Sequence, residues 1–222
     1  RRKMIEIRHI SKKFRNRVAV DDVSLQMNTG IYGLVGPNGA GKTTLMRILA
    51  TVLPMDQGEI QLDGKVVDQR TLRKYIGYLP QKFSFYKDLT LKEALVHVGF
   101  MKNMPKQNID AEVQKVLQQV NLSERQNDRI GTLSGGMLRR LGIAQAILGD
   151  PEVLIVDEPT VGLDPEERKH FRRLLADIAE NRIVLISTHI VEDIAEISTE
   201  LIVMKNGKII AEGTANEALA YL

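Results

Sequence analysis

A glycine-rich octapeptide, Gly36 to Thr43, stands between two segments of different periodicity. The apolar run Ile31 to Val35 before it predicts a buried strand, and the pattern from Lys42 to Thr51 predicts a helix. Glycines let backbone N–H groups converge at the start of a helix, where the partial positive charge favours an anion. In loops of this pattern the lysine reaches phosphates and the threonine hydroxyl binds Mg²⁺. The segment therefore predicts a strand–loop–helix unit with a phosphate site at its tip.

The remaining apolar segments indicate what surrounds this unit. Val153 to Asp157 and Ile183 to Ser187 are short and almost continuous, as strands covered on both faces are. Pro165 to Glu180 predicts a helix with proline at its first position. Short strands that alternate with helices are typical of α/β domains. We predict an α/β fold with a phosphate-loop core built on a parallel sheet.

Two hairpins are predicted outside that pattern. Asp63-Gly64 and Asn206-Gly207 are strong hairpin turns, each flanked by short apolar or β-branched runs. Near the N-terminus such runs indicate an antiparallel β subdomain. The predicted strands of these regions are Met4 to Ile10, Val18 to Met27, the two arms within Glu59 to Val67, Leu201 to Met204 and Lys208 to Ala211.

One region lacks strand signals. From about Ser84 to Asn127 the pattern is largely helical and rich in methionine. We predict a helical subdomain, about 84–145, inserted into a single domain that spans 1–222. Its aromatic and methionine residues are candidates for docking a partner, the alternative being a small core of the subdomain. These candidates are Phe83, Phe85, Tyr86, Phe100, Met101 and Met104.

Composition excludes several kinds of function. The chain of 222 residues contains no cysteine, which excludes disulfides, thiolate metal sites and a cysteine nucleophile. A formal charge of +3 favours neither nucleic acid nor membrane lipid. No apolar run approaches the roughly 18 residues that span a bilayer. The basic start Arg1-Arg2-Lys3 is followed by Glu6 and Arg8 rather than by an apolar core. We therefore expect a cytoplasmic protein.

The end of the strand Val153 to Val156 supplies a second half for a nucleotide site. Asp157 and Glu158 follow it directly, at the carboxyl edge where ligands of parallel sheets bind. A carboxylate such as Asp157 can hold Mg²⁺ or its water. Glu158 is placed to polarise a water for in-line attack on a γ-phosphate. Alone, such a pair would be interpreted as a solvated acidic turn; after a phosphate loop it predicts hydrolysis.

A second glycine pair opens a further helix. Ser134 precedes Gly135 and Gly136, which gives another anion-binding surface far along the chain from Lys42. One small nucleotide hardly needs both surfaces from one subunit. The economical interpretation is that this surface closes on the nucleotide of another copy.

With these motifs in hand, the chain resembles the ATP-binding subunit of ATP-binding-cassette (ABC) transporters over almost its full length. The phosphate loop, Gln81, Leu133-Ser134-Gly135-Gly136, the Asp-Glu strand end, Gly162-Leu163-Asp164 and His189 follow in the family's order. The serine–glycine signature is the specific element, because the other motifs recur in many phosphate-loop enzymes.

The resemblance implies a role for each matching residue. Gln81 would contact Mg²⁺ or the attacking water, and His189 the γ-phosphate. Ser134, Gly135 and Gly136 would grip that phosphate in trans, across a head-to-tail dimer in which Asp164 lies at the subunit contact. Phe14 stands where the family has an aromatic residue on adenine, most often tyrosine. The implied catalytic set is Lys42, Gln81, Glu158 and His189; the metal set is Thr43, Gln81 and Asp157; and the nucleotide set is Phe14, Gly36, Pro37, Asn38, Gly39, Ala40, Gly41, Lys42, Thr43 and Thr44.

The residues after the signature differ from the commoner family pattern. Met137 replaces the usual glutamine or glutamate, and Met137-Leu138-Arg139-Arg140 is similar to cassettes of exporters that move drugs, peptides or lipids. The alternative for Arg139 and Arg140 is an exposed basic helix face, and no ligand role is assigned to them.

The implied function is ATP hydrolysis, with Mg²⁺, in a dimer of cassettes that drives an integral membrane subunit from the cytoplasmic face. A homodimer is expected, and no direct contact with nucleic acid. The main alternative is a soluble ABC-type ATPase acting on DNA or the ribosome. Against it, no sustained heptads lie between Lys42 and Asp157, and the chain carries one cassette. A phosphate-loop kinase or GTPase would leave the signature and His189 unexplained.

Overall fold

The computed structural model describes residues 3–222, so Arg1 and Arg2 of the basic N-terminal stretch lie outside the described residues. The chain forms two sheets with helices between and around them. The strands are β1 Met4–Phe14, β2 Arg17–Asn28, β3 Gly30–Val35, β4 Gln57–Leu62, β5 Lys65–Val67, β6 Ile76–Leu79, β7 Val153–Asp157, β8 Ile183–Thr188, β9 Glu200–Lys205 and β10 Lys208–Gly213. The helices are α1 Lys42–Leu49, α2 Gln69–Leu72, α3 Leu91–Met101, α4 Lys106–Gln119, α5 Gly135–Ile147, α6 Pro165–Ile178, α7 Glu192–Ala195 and α8 Ala215–Ala218.

The larger sheet has the strand order β10-β9-β3-β8-β7-β6. The strands from β9 to β6 run parallel, and β10 joins β9 as an antiparallel hairpin. The smaller sheet, β2-β1-β4-β5, is antiparallel throughout. The predicted α/β class, with its parallel sheet and N-terminal antiparallel sheet, is confirmed.

Alternation along the central strands divides the core between the two faces of the larger sheet. Leu154 and Val156 of β7 belong to a buried cluster with α3, α4, α5 and α6. Val153 and Ile155 point to the other face, in a cluster with α1 and the antiparallel sheet. Because each fully buried aliphatic side chain is worth about 1.5–3 kcal/mol, both faces anchor the central strands firmly.

The expected strands and helices are found where the patterns placed them, and the structure adds the strand β6 and the short helices α2, α7 and α8. Between β6 and β7 the described residues form helices and turns, as the methionine-rich pattern predicts. Whether that region is a distinct subdomain of a single 1–222 domain stays a prediction. The strand β6 was not predicted, because it is only four residues long and Gly77 interrupts it. A Cβ at Gly77 would lie 2.2 Å from the Ala146 carbonyl oxygen, so the close approach of α5 requires glycine there.

Candidate active site

Four neighbouring parallel strands end at one edge of the larger sheet. The register pairs Val35 with Thr188, Asp157 with Ser187 and Leu79 with Val156. The loops after β3, β8, β7 and β6 therefore converge, and together with the start of β2 they enclose a cavity of about 530 Å³. We call it the strand-end cavity; its lining is Phe14, Arg17, Ala19, Asn38, Gly39, Ala40, Gly41, Lys42, Thr43, Thr44, Gln81, Glu158, Val161 and His189.

The glycine loop curls tightly before α1. Gly39 and Gly41 have φ of 83° and 103°, and Gly41 is the residue that precedes the first turn of α1. A Cβ at Gly41 would lie 2.3 Å from the Ala19 carbonyl oxygen, so a larger residue would clash with β2. The first turn of α1 carries no acidic side chain. The positive end of the helix therefore faces the strand-end cavity, and no acidic side chain of its own first turn offsets it.

Lys42 places a buried positive charge at the floor of the cavity. Its side chain is only 6% exposed, and its ammonium donates hydrogen bonds to the carbonyl oxygens of Gly36 and Pro37. The Nζ atom lies 4.0 Å from Glu158 Oε1. Burial lowers the pKa of Lys42, and the nearby carboxylates of Glu158 and Asp157 oppose that shift. The arrangement offers a desolvated cation to an anionic ligand.

The Asp-Glu strand end is held by β8. The Ser187 hydroxyl donates to Asp157 Oδ1, and Asp157 is almost fully buried behind the cavity wall. The backbone N–H of Glu158 donates to Ser187 Oγ at 2.9 Å and to the Ser187 carbonyl oxygen at 3.1 Å. Glu158 has a φ of 45°, an unusual conformation for a non-glycine residue, which turns its carboxylate into the cavity.

His189 is the second residue around that carboxylate. Its Nδ1 lies 3.0 Å from Glu158 Oε2, while Lys42 Nζ approaches the other oxygen. The His189 side chain is 44% exposed and lines the cavity, whereas the Glu158 side chain is 7% exposed. A carboxylate held between an imidazole and an ammonium at the edge of a cavity can accept a proton from water.

Gln81 and Phe14 both line the cavity wall. Gln81 is exposed and follows β6 and Pro80, so the unpredicted strand is what brings it to the sheet edge. Phe14, 45% exposed, is positioned at the end of β1 with Lys12 Nζ 5.5 Å from the centre of its ring. Arg17, which sequence reasoning missed, donates to the Gly39 carbonyl oxygen at 2.6 Å and supports the glycine loop. Only the hairpin between β1 and β2 brings Arg17 there.

The second glycine pair lies elsewhere. Ser134 is the N-cap residue of α5, and its hydroxyl oxygen accepts a hydrogen bond from the Met137 N–H at 3.2 Å. Ser134 and Gly135 are exposed, and neither they nor Gly136 line the strand-end cavity. Gly136 packs closely against Glu167 of α6, since a Cβ there would lie 2.8 Å from Glu167 Oε1.

The Gly162-Leu163-Asp164 segment also lies at a helix start. Asp164 begins α6, and its carboxylate accepts from the Glu167 N–H at 2.8 Å while the Glu167 carboxylate accepts from the Asp164 N–H at 3.4 Å. This reciprocal pair is a capping box, so Asp164 has a structural role in this subunit. Asp164 remains exposed beside it.

The interpretation of Arg139 and Arg140 as an exposed basic face is wrong. Both are half-buried, and burial lowers the pKa of each. Arg139 donates to the Val161 carbonyl oxygen at 3.2 Å, and Arg140 to the Val120 carbonyl oxygen at 3.4 Å. Charge alone predicted solvation, because the sequence does not reveal the carbonyl groups that these side chains meet.

The candidate docking residues divide into two sets. Three of them are partly buried and pack against the core. The other three are exposed: Tyr86 by 78%, Phe100 by 50% and Met101 by 65%. The packed set is Phe83, Phe85 and Met104; the exposed set is Tyr86, Phe100 and Met101. Across residues 3–222, no helix is long and apolar enough to cross a membrane.

Comparison with known proteins places this geometry in a family. Residues 20–161 match the ABC transporter family model. An uncharacterized ABC transporter ATP-binding protein of Bacillus subtilis is 38% identical over 96% of this chain and 72% of its own length. A Nod factor export ATP-binding protein of Burkholderia lata is 38% identical over 94% of this chain and 70% of its own length. A linearmycin resistance ATP-binding protein of Bacillus subtilis is 34% identical over 99% of this chain and 72% of its own length.

Solved structures agree with the sequence relatives. The ADP conformation of an ATP-binding cassette from an ABC transporter superimposes with a TM-score of 0.86 at 25% identity, covering 97% of this chain and 92% of that one. The region that matches the ABC transporter family model, residues 20–161, includes the glycine loop, the serine–glycine pair and the Asp-Glu strand end. By its sequence relatives, its fold and its strand-end cavity, the chain belongs to the ABC transporter family as an ATP-binding subunit with ATPase activity.

Proposed function

We propose that the strand-end cavity binds ATP with its triphosphate on the glycine loop. The observation that carries the proposal is the convergence of Lys42, Glu158, Gln81 and His189 on one cavity at the start of α1. The loop N–H groups and the Lys42 ammonium bind the phosphates, and Phe14 stacks on the base. The other loop contacts are Gly36, Pro37, Asn38, Gly39, Ala40, Gly41 and Thr44.

The residues around the cavity fit a magnesium ion bound together with the nucleotide. Thr43 and Gln81 line the cavity with neutral oxygen ligands, and Asp157 stands behind its wall, oriented by Ser187. Oxygen ligands of this kind are what Mg²⁺ prefers, and the triphosphate supplies more. When bound, Mg²⁺ neutralises charge on the phosphate oxygens. Asp157 would hold the ion directly or through a bound water.

Hydrolysis is assigned to Glu158 and His189. The Glu158 carboxylate accepts the proton of the attacking water, and its strained backbone fixes the direction of that carboxylate. His189, hydrogen-bonded to the same carboxylate, orients it and contacts the γ-phosphate. Gln81 positions the water from the other side of the cavity.

The active unit is proposed to be a head-to-tail dimer, with a homodimer the simplest case. Ser134, Gly135 and Gly136 form an exposed helix start outside their own strand-end cavity, so they are free to bind the γ-phosphate of a second copy. Asp164, exposed nearby, lies at the contact between subunits. Loss of the γ-phosphate removes the group that bridges the halves.

The dimer is proposed to drive an integral membrane subunit from the cytoplasmic face, in the direction of export. The relatives named for Nod factor export and for linearmycin resistance support that direction. Exposed Tyr86 and Met101 line a groove of about 340 Å³ with Phe83 and Phe85. Such an apolar groove suits a protein partner rather than nucleic acid, for which no direct contact is proposed.

Mixing two inactive variants tests the composite site. Ser134→Arg spoils only the signature and Lys42→Ala only the phosphate loop, so a mixed dimer keeps one intact site. At equal amounts we expect up to about a quarter of the wild-type ATPase rate, because half of the dimers are mixed and each has one of two sites. Each variant alone, and each mixed with wild type, are the controls. Absence of rescue at every ratio would contradict binding in trans.

A further inference from the structure

Arg139 contacts the edge of the strand-end cavity without lining it. From α5 its guanidinium donates to the Val161 carbonyl oxygen at 3.2 Å and to the Gln81 carbonyl oxygen at 3.5 Å. Both acceptor residues line the cavity. The same guanidinium lies 5.7 Å from the centre of the Phe83 ring. One side chain therefore joins α5 to two backbone segments that line the cavity.

The Phe83 ring beneath Arg139 is itself fixed by α5. A Cβ at Gly142 would lie 2.9 Å from the ring, so the absence of a side chain there lets the aromatic residue pack against the helix. A planar guanidinium stacks on such a ring while its N–H groups reach acceptors in different directions. Burial holds this group in place and lowers the pKa of Arg139. The contact depends on the shape of arginine as well as on its charge.

The neighbouring Arg140 makes a different connection. Its guanidinium donates to the carbonyl oxygens of Val120 and Asn121, both at 3.4 Å, at the end of α4. Arg140 thus joins two helices of the region between β6 and β7, and it does not contact the residues of the strand-end cavity. The two arginines have equal charge and similar burial but different partners.

We infer that Arg139 is a positioning residue that fixes the Gln81 and Val161 backbone relative to the helix that begins at Gly135. Because α5 starts with the serine–glycine signature, this contact makes the orientation of the signature depend on the loops of the subunit's own cavity. The coupling affects catalysis because Ser134 is proposed to act in trans, and in this respect the inference rests on the proposed function. The contact of Arg139 with the two carbonyl groups does not depend on that function.

Hydrogen–deuterium exchange of the purified chain locates the effect without requiring ATP hydrolysis. In Arg139→Gln, exchange should accelerate about five- to tenfold at residues 77–79, the paired strand before Gln81, and at residues 160–164, where the Leu163 N–H donates to the Thr160 carbonyl oxygen. A change of this size is expected when hydrogen bonds of ordinary strength are lost. In Arg140→Gln the acceleration should occur at residues 117–122 instead. Unchanged exchange at residues 77–79 and 160–164 in Arg139→Gln, or an equal change in both variants, would overturn the inference.

Kinetics then separate positioning from general destabilisation. Arg139→Gln should lower the ATPase kcat about five- to tenfold while the Kd for ATP stays within about twofold, because Arg139 does not touch the cavity. Arg139→Lys should remain low, since one ammonium does not reproduce the planar two-carbonyl contact. Full rescue by lysine, or an Arg140→Gln variant with the same kcat loss, would overturn it. If wild type showed no ATPase activity, the proposed function would fail while the exchange result still stood.

Discussion

At the scale of single residues, the site depends on ions that the fold keeps out of water. Lys42 and Glu158 are almost completely buried, and Lys42 Nζ lies 4.0 Å from Glu158 Oε1. Burying a charge is costly unless hydrogen bonds or an opposite charge compensate it. At the cavity floor, an anionic ligand that binds the Lys42 ammonium would offset the cost of burying that charge.

Lys42→Ala should therefore lose nucleotide affinity rather than stability. Charge-assisted contacts contribute about 1.5–3 kcal/mol, so the Kd for ATP should rise roughly 10- to 100-fold. Isothermal titration calorimetry measures it, with Lys65→Ala on the exposed β5 hairpin arm as the matched control. Equal affinity of the two variants would remove Lys42 from the phosphate site.

At the scale of elements, helix starts serve both the fold and the proposed chemistry. Asp164 caps α6 and Thr90 caps α3, each through a reciprocal capping box with a glutamate. The two caps have the same chemistry, yet only Asp164 lies in the Gly-Leu-Asp segment next to Val161. They form a matched pair for separating structural from functional roles.

Asp164→Ala and Thr90→Ala should each lower the free energy of unfolding by about 1 kcal/mol, the usual contribution of a cap. In a chain of this size that shifts Tm by roughly 2–4 °C. Only Asp164→Ala should also lower ATPase activity, because only Asp164 is proposed to contact the second subunit. Equal activity of the two variants, at equal loss of Tm, would restrict Asp164 to capping.

The other end of α5 is held by Lys102. Its Nζ donates to the carbonyl oxygens of Gln145 and Leu148 at 2.7 and 2.9 Å, although much of the side-chain stem is exposed. Burial of the ammonium lowers the pKa of Lys102 from 10.5 to about 8. The unfolded chain then binds more protons than the folded chain between these two values. Over that window the contribution of Lys102 to the free energy of unfolding should increase as pH rises.

Denaturant unfolding at about pH 7.5 and about pH 9.5 tests this direction of change in the free energy of unfolding. The two pH values lie below and above the shifted pKa of Lys102. Wild type should gain stability relative to Lys102→Met at the higher pH, with no gain expected below about pH 7. Lys92, in the first turn of α3 and without those carbonyl partners, provides the control as Lys92→Met. A difference that stays constant or falls with pH would contradict the assignment.

At the scale of the whole molecule, function follows from strand order. The sequence β3-β8-β7-β6 aligns four carboxyl ends, so residues from distant parts of the chain meet in one cavity. The same arrangement leaves the start of α5 outside that cavity. In the proposed head-to-tail dimer, a second copy completes the divided site.

Glu158→Gln should still bind ATP. Its hydrolysis rate should fall at least about 100-fold, because the amide does not accept the proton of the attacking water. With the γ-phosphate retained, the variant should run as a dimer in ATP and as a monomer in ADP by light scattering after gel filtration. Glu152→Gln, on the segment before β7 and outside the cavity, is the control. A variant that remains monomeric with ATP would contradict the dimer proposal.

The sequence by itself determined the glycine loop, the Asp-Glu strand end and the signature helix, because their function depends on local backbone geometry and on neighbouring residue types. Gly36 to Thr43 and Ser134 to Gly136 could be placed on helix starts without knowing any tertiary contact. Periodicity likewise identified β7 and β8, since strands buried on both faces are continuous apolar runs.

Only the tertiary structure decided which of these segments meet. The strand β6 carries almost no signal of its own, yet its pairing with β7 is what delivers Gln81 to the cavity. Arg17 and Arg139 gain their roles from carbonyl groups far away in the sequence, which residue type alone does not reveal. Local signals specify elements, whereas long-range packing fixes the partners of a polar side chain, and no single segment of the chain contains that information.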